Sequence, residues 1–191
     1  LGTKSEFDNL IAPVLLIEEP TQSVVYETNY WEGQDFISVE GEKEYSHERS
    51  NFISGQLSID AIRTIINNLN NWPQTNKSAQ WKYFLLGGEI DKKLITDMAF
   101  IHRGYTMLSS IDLEWNENDT DSNIALNEQW SNKFHNELSP YISAASYQNF
   151  MDPQLNNYLE SYYGSALTQL KEVKRKYDPN NLFHYPQSIP L

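Results

Sequence analysis

The stretch MLSSIDLEW, residues 107 to 115, constrains the fold more than any other part of the chain. Its side chains alternate. Successive Cβ atoms of a strand point to opposite faces, so Ser110, Asp112 and Glu114 share one side while Ile111 and Leu113 share the other. A strand with one polar and one apolar face is half buried or lines a pocket, and something must cover the apolar side.

The C-terminal third of the chain supplies the cover. Leu126, Trp130, Phe134 and Leu138 recur every four residues, after an acidic first turn and before Pro140, which predicts a helix over 122–138. Asp152-Pro153 predicts a second helix start, with Leu155, Leu159 and Tyr162 on one side until Gly164 interrupts. A third helix over 165–176 carries Leu167, Leu170, Val173 and Tyr177, with its lysines and Arg175 toward the negative end of its dipole. Upstream, Ser58 is placed to cap a helix whose Ile59, Ile62, Ile66 and Leu69 fall on one face. A short helix over 5–12 is expected to stop at Pro13. Further strands are expected at 14–17, 23–26, 81–86 and 99–102, with Gly87-Gly88 bending the third. Strands followed by helices predict an α+β fold: an antiparallel β-sheet covered on one face by α-helices.

The 191 residues, 39% of them hydrophobic, suffice for one core. A net charge of -12 argues against nucleic acid or an anionic membrane as partner. Cysteine is absent, which excludes disulfides, thiol catalysis and cysteine-ligated metals, and leaves a cytoplasmic or a secreted location equally open. The longest apolar run, 11–17, is interrupted by Pro13 and falls far short of the roughly 20 residues of a membrane helix, so a soluble protein is expected. Leu1-Gly2-Thr3-Lys4 is neither an initiator methionine nor a signal peptide, and the expectation is a chain that begins inside a longer one.

His47, His102, His135 and His184 lack metal-site spacing, so no metal is expected. No Gly-x-Ser-x-Gly elbow supports a serine nucleophile, and Gly87-Gly88 alone is no phosphate loop. Asp112 and Glu114 fit paired carboxylates for acid and base work, or a solvated sheet face. The segment 141–152 mixes small and aromatic residues and fits a packed loop as readily as a site.

Motifs in order along the chain carry a resemblance. Lys174-x-x-Tyr177-Asp178-Pro179-x-Asn181-Leu182-Phe183-x-x-x-Gln187-Ser188-Ile189-Pro190 resembles the C-terminal signature of the berberine bridge enzyme-like FAD-linked oxidases. Tyr147-x-Asn149-Phe150-x-Asp152, Tyr162-Tyr163-Gly164, Phe100-x-His102-Arg103 followed by Trp115, and Arg49-Ser50-x-Phe52 are similar to family segments in the same order. The resemblance implies a substrate-binding α+β domain over 1–145 and, over 146–191, a C-terminal segment that packs back on an FAD-binding domain. That domain lies N-terminal in the family, would hold FAD in the main, and would be a partner alongside a small-molecule substrate. The implied activity is hydride transfer from an alcohol, sugar or secondary metabolite to flavin. The implied base position falls at Ser110, a poor base, so Asp112 on the same face is the substitute. Tyr147, Phe150 and Glu114 are expected at the substrate, and Asn149 and Tyr147 at the flavin. Phe150 cannot share in proton handling as the family's usual Tyr or His does. These departures leave an alternative: a relative without flavin or catalysis that binds a ligand, such as a carbohydrate, on an aromatic, acidic sheet face.

Overall fold

The computed structural model describes residues 2–38, 45–75 and 78–191. It divides into two compact units, Leu1–Gly41 and Glu42–Leu191.

In the first unit, α1 (Lys4–Leu15) begins with a capping box: Thr3 Oγ1 accepts from the Glu6 N–H, and the Glu6 carboxylate accepts from the Thr3 N–H at 2.6 Å. The helix does not stop at Pro13. A proline this close to the helix end removes one backbone donor, and its fixed φ is already helical. The strands expected at 14–17 and 23–26 do not form. Val14 and Leu15 belong to α1, and Leu16, Ile17, Val24 and Val25 are exposed with no strand beside them among the described residues. A β-branched side chain favours a strand only where a pleated neighbour takes it up. A second helix, α2 (Tyr30–Ile37), comes instead, started by Asn29, whose side chain accepts from the N–H groups of Trp31 and Glu32. Neither helix has a buried residue.

The second unit is built on a three-stranded antiparallel sheet in the order β1–β3–β2, with β1 Tyr45–Ile53, β2 Ser78–Leu85 and β3 Met107–Trp115. The predicted alternation of β3 is obeyed. Ile111 and Leu113 join Ala61 and Ile65 of α3 (Ile59–Asn70) and Trp130, Phe134 and Leu138 of α4 (Asp121–Leu138) in one core, with Ala79, Trp81 and Trp115 at its margin. Helices therefore cover one face of the sheet.

Ser58 caps α3 as expected, its Oγ accepting from the Ala61 N–H at 3.1 Å. The buried side of α3 is Ala61, Ile65 and Asn68, however, while Ile59, Ile62 and Ile66 are exposed. Polar groups meet at buried Asn68: its backbone carbonyl accepts from Trp130 Nε1 at 2.9 Å and its side-chain Nδ2 donates to Glu137 at 2.8 Å. In α4, likewise, Leu126 is 44% exposed, and Asn127 is buried in its stead, accepting from Trp72 Nε1 at 2.7 Å.

No strand forms over 99–102, an irregular segment that closes over Phe52 with His102 stacked 4.0 Å from its ring. No helix starts at Asp152 either. Its carboxylate accepts from the Gln154 N–H at 2.8 Å, but it is also bound by β1, and the helix begins later as α5 (Tyr158–Tyr163). Gly164 then turns the chain at φ +38° into α6 (Leu167–Tyr177), and a Cβ there would lie 2.8 Å from Ile101 Cδ1. Tyr177 does not anchor α6; it is 72% exposed. The helix is stopped by Asp178, whose carboxylate pairs with Lys174 and accepts from the N–H groups of Leu182 (2.7 Å) and Phe183 (3.1 Å).

Candidate functional site

The antiparallel register stacks three kinds of side chain in rows on the sheet face away from α3 and α4. Phe52, Leu108 and Phe84 face one another across the strands; next come Ser50, Ser110 and Lys82; then Glu48, Asp112 and Gln80. Glu48 lies directly opposite Asp112, and like charges in that relation repel. Lys82 resolves the conflict. Its Nζ lies 2.8 Å from Glu48 Oε1 and 3.1 Å from Asp112 Oδ2. Burial works against charging Lys82, but hydrogen bonds and attraction from Glu48 and Asp112 outweigh it and hold the ammonium above its ordinary pKa. Ser110 Oγ donates to Glu48 Oε1 at 2.8 Å, and Gln80 Nε2 donates to Asp112 Oδ2 at 3.1 Å.

The aromatic row continues into the segment after α4. The Tyr147 N–H donates to Ser50 Oγ at 2.9 Å, its ring meets Phe52, Phe100 and Phe150 edge-on, and its hydroxyl accepts from Asn149 Nδ2 at 3.0 Å. Phe150 packs 5.9 Å from Phe84 and lies 5.8 Å from Lys82 Nζ. Ser110, Asp112, Tyr147 and Phe150 are thus gathered around Ser50 and Lys82, with Asn149 on the exposed rim. Glu114 sits one row further on, accepting from Ser78 Oγ at 2.7 Å. Of the two residues expected to do acid and base work, Ser110 is 1% exposed and Asp112 3%. The accessible charges are Lys82 and Glu48, with side chains 31% and 18% exposed. Sequence reasoning passed over both, although Lys82 lies in the expected strand 81–86 and Glu48 immediately precedes the Arg49-Ser50 pair.

On the opposite face of β1, Arg49 Nε and His47 Nε2 lie 2.9 and 3.0 Å from the Asp152 carboxylate, and Arg49 also bonds Asn132. The backbone of Asp152 accepts from Gln187 Nε2 at 2.7 Å and donates to Tyr162 Oη at 3.0 Å. This buried knot fixes the segment that carries Tyr147 to Phe150. Among the described residues no group of three or more His, Asp or Glu side chains is arranged to hold a metal ion, and no helix is long and apolar enough to cross a membrane.

Comparison with known proteins adds a family. The model for berberine and berberine-like domains matches residues 146–190. The chain is 29% identical over 195 residues to the uncharacterized FAD-linked oxidoreductase YvdP of Bacillus subtilis (strain 168), covering 100% of this chain and 42% of that one. It is 31% identical over 192 residues to YgaK, a second uncharacterized FAD-linked oxidoreductase of that organism, covering 100% and 41%. Among solved structures, wild-type BBE-like 1 of Physcomitrella patens is similar with a TM-score of 0.82 at 27% identity, over 100% of this chain and 43% of that one. The chain spans about two fifths of the length of these relatives.

Proposed function

We propose, on the premise that this chain belongs to the berberine bridge enzyme-like family, that it forms the substrate-binding face of an FAD-dependent oxidoreductase acting on a small molecule bearing a hydroxyl group. The observation that carries this reading is the sheet face itself: an ammonium held between two carboxylates beside a row of aromatic rings. The charged end is suited to move a proton, and the aromatic end to hold a flat ring or an apolar substrate surface.

The residues present fit the ring of a flavin rather than its phosphates. The exposed amide of Asn149, hydrogen-bonded to Tyr147, and the half-buried ring of Phe150 offer neutral polar and aromatic contacts. A net charge of -12 disfavours a pyrophosphate, which would be held by an FAD-binding domain over which residues 146–191 pack. The strongly exposed Leu182 and Phe183 offer that domain an apolar contact. Bound flavin would supply the hydride acceptor. The chain's own part is to orient the substrate, keep its reacting hydroxyl beside Lys82, and take its proton on the carboxylate side of the face, where Asp112 is the base expected from the sequence.

The test joins the chain to its FAD-binding domain. The complete protein is expected to purify with a flavin spectrum and to be bleached anaerobically by an alcohol or sugar substrate. A complete protein that takes up no FAD, yet binds carbohydrate in calorimetry, would instead establish the ligand-binding alternative.

A further inference from the structure

We infer that Glu48 on β1 is the carboxylate that takes the substrate proton, with Ser110 and Lys82 fixing its orientation and Asp112 serving as a positioning residue. This inference rests on the oxidoreductase reading above. Among the described residues every partner of the Glu48 side chain falls on Oε1: the Ser110 hydroxyl at 2.8 Å and the Lys82 ammonium at 2.8 Å. Oε2 has none. One oxygen is therefore anchored by two donors, and the other keeps its lone pairs for an incoming O–H, which is the arrangement a preorganised base requires.

Asp112 shares the one-sided pattern, with Gln80 and Lys82 both on Oδ2, so accessibility separates the two carboxylates: the Asp112 side chain is 5% exposed against 18% for Glu48. A base has to come within hydrogen-bond distance of the proton it removes, and the more accessible carboxylate meets that demand better. The contribution of Asp112 is charge: together with Glu48 it keeps Lys82 protonated, and the ammonium stabilises negative charge on the substrate oxygen as the proton leaves. Ser110, at 1% exposure, cannot meet a substrate, and its hydroxyl is spent on Glu48. The serine at the expected base position thus hands the role across the strand pair to Glu48.

The step balances as a two-electron oxidation. The substrate O–H bond breaks and its proton passes to Glu48 Oε2, giving a neutral carboxylic acid. The electron pair left on oxygen forms the second C–O bond, and the hydrogen on carbon departs with its pair of electrons to the flavin, the oxidant.

The experiment compares wild type, Glu48→Gln and Asp112→Asn in the complete flavin-loaded protein, with flavin content and Tm recorded for each. Glu48→Gln is expected to lower kcat by about 10²–10⁴ and to remove the acidic limb of the kcat/KM pH profile. Asp112→Asn is expected to lower kcat by less than about tenfold and to keep that limb. Following the Glu48 carboxyl 13C resonance against pH in the same protein gives a readout independent of turnover. Ser110→Ala should shift the Glu48 carboxyl resonance, because the donor to Oε1 is lost, and should leave the Asp112 resonance in place. Near-normal turnover with an intact acidic limb in Glu48→Gln, or a Glu48 resonance indifferent to Ser110→Ala, overturns the assignment. A complete protein that holds no flavin overturns the oxidoreductase reading itself, so the two failures are distinguishable.

Discussion

His102 shows how a histidine in a family-like motif can serve the fold. It is 2% exposed, its ring stacks on Phe52, and its Nε2–H donates to the Tyr162 carbonyl at 3.2 Å. Burial pushes its pKa down to about 4; the bond to Tyr162 opposes this, and the neighbouring Arg103 charge adds to it. The folded pKa lies below the unfolded value of about 6.5. The contribution is therefore complete above that value and is lost as pH falls toward 4, because the unfolded chain binds a proton that the folded ring refuses. A full shift of this size corresponds to roughly 3 kcal/mol. His102→Gln should flatten the fall in urea-unfolding stability between pH 6.5 and 4. His135, also lowered by burial and by Arg49, contributes in the same window, so the difference between the two proteins is the quantity to measure. An unchanged slope in the variant would refute the assignment to His102.

At the scale of elements, the sheet depends on Lys82. Glu48 and Asp112 face each other across β1 and β3 whatever the ligand, so replacing the ammonium leaves two carboxylates opposed. Lys82→Met should cost about 1–2 kcal/mol at neutral pH, a value reduced because Lys82 is about a third exposed. The loss should shrink at high ionic strength, where salt screens the repulsion. Urea midpoints at low and high salt decide it, and a loss that is constant with salt sinks the argument. The same strands show what a sequence can reveal of a sheet. β3 was legible because its two faces differ, Ser110 and Asp112 against Ile111 and Leu113. β1 was not, because His47, Arg49 and Asn51 point toward the helices and Glu48 and Ser50 away from them, so both faces are polar and no alternation appears. Glu48 was hidden for the same reason. The apparent strands at 14–17 and 23–26 failed in the opposite way: β-branched residues with no neighbour to pair with. On α3 the isoleucines suggested the wrong face, since the buried side is set by small Ala61 and by the polar contacts of Asn68.

Across the whole molecule, Asp152 joins segments far apart in sequence. Its carboxylate binds His47 and Arg49 of β1, and its backbone binds Gln187 of the tail and Tyr162 of α5. The resemblance set 146–191 apart as a segment packing back on an FAD-binding domain, and Asp152 looked like a helix cap; only the three-dimensional arrangement shows Asp152 as the tie between sheet, α5 and tail. Burial opposes its charge, yet the hydrogen bond from His47, the charge of Arg49 and the Gln154 N–H prevail and hold its pKa below the ordinary 3.8. Its contribution is then present above that value and lost as pH falls below it. Asp152→Ala should remove about 3–5 kcal/mol at neutral pH, because it strands the guanidinium of Arg49, which is 9% exposed, without its carboxylate. Gln187→Ala, which breaks only the tie to the tail, should cost about 1 kcal/mol and leave the low-pH loss intact. Hydrogen exchange separates the two effects: Asp152→Ala should deprotect amides of β1 and of 146–163 together, whereas Gln187→Ala should deprotect the tail alone. If the tail opens in Asp152→Ala while β1 keeps its protection, the carboxylate is not the joint between them, and the segment bearing Tyr147 and Phe150 is held to the sheet by its aromatic contacts instead.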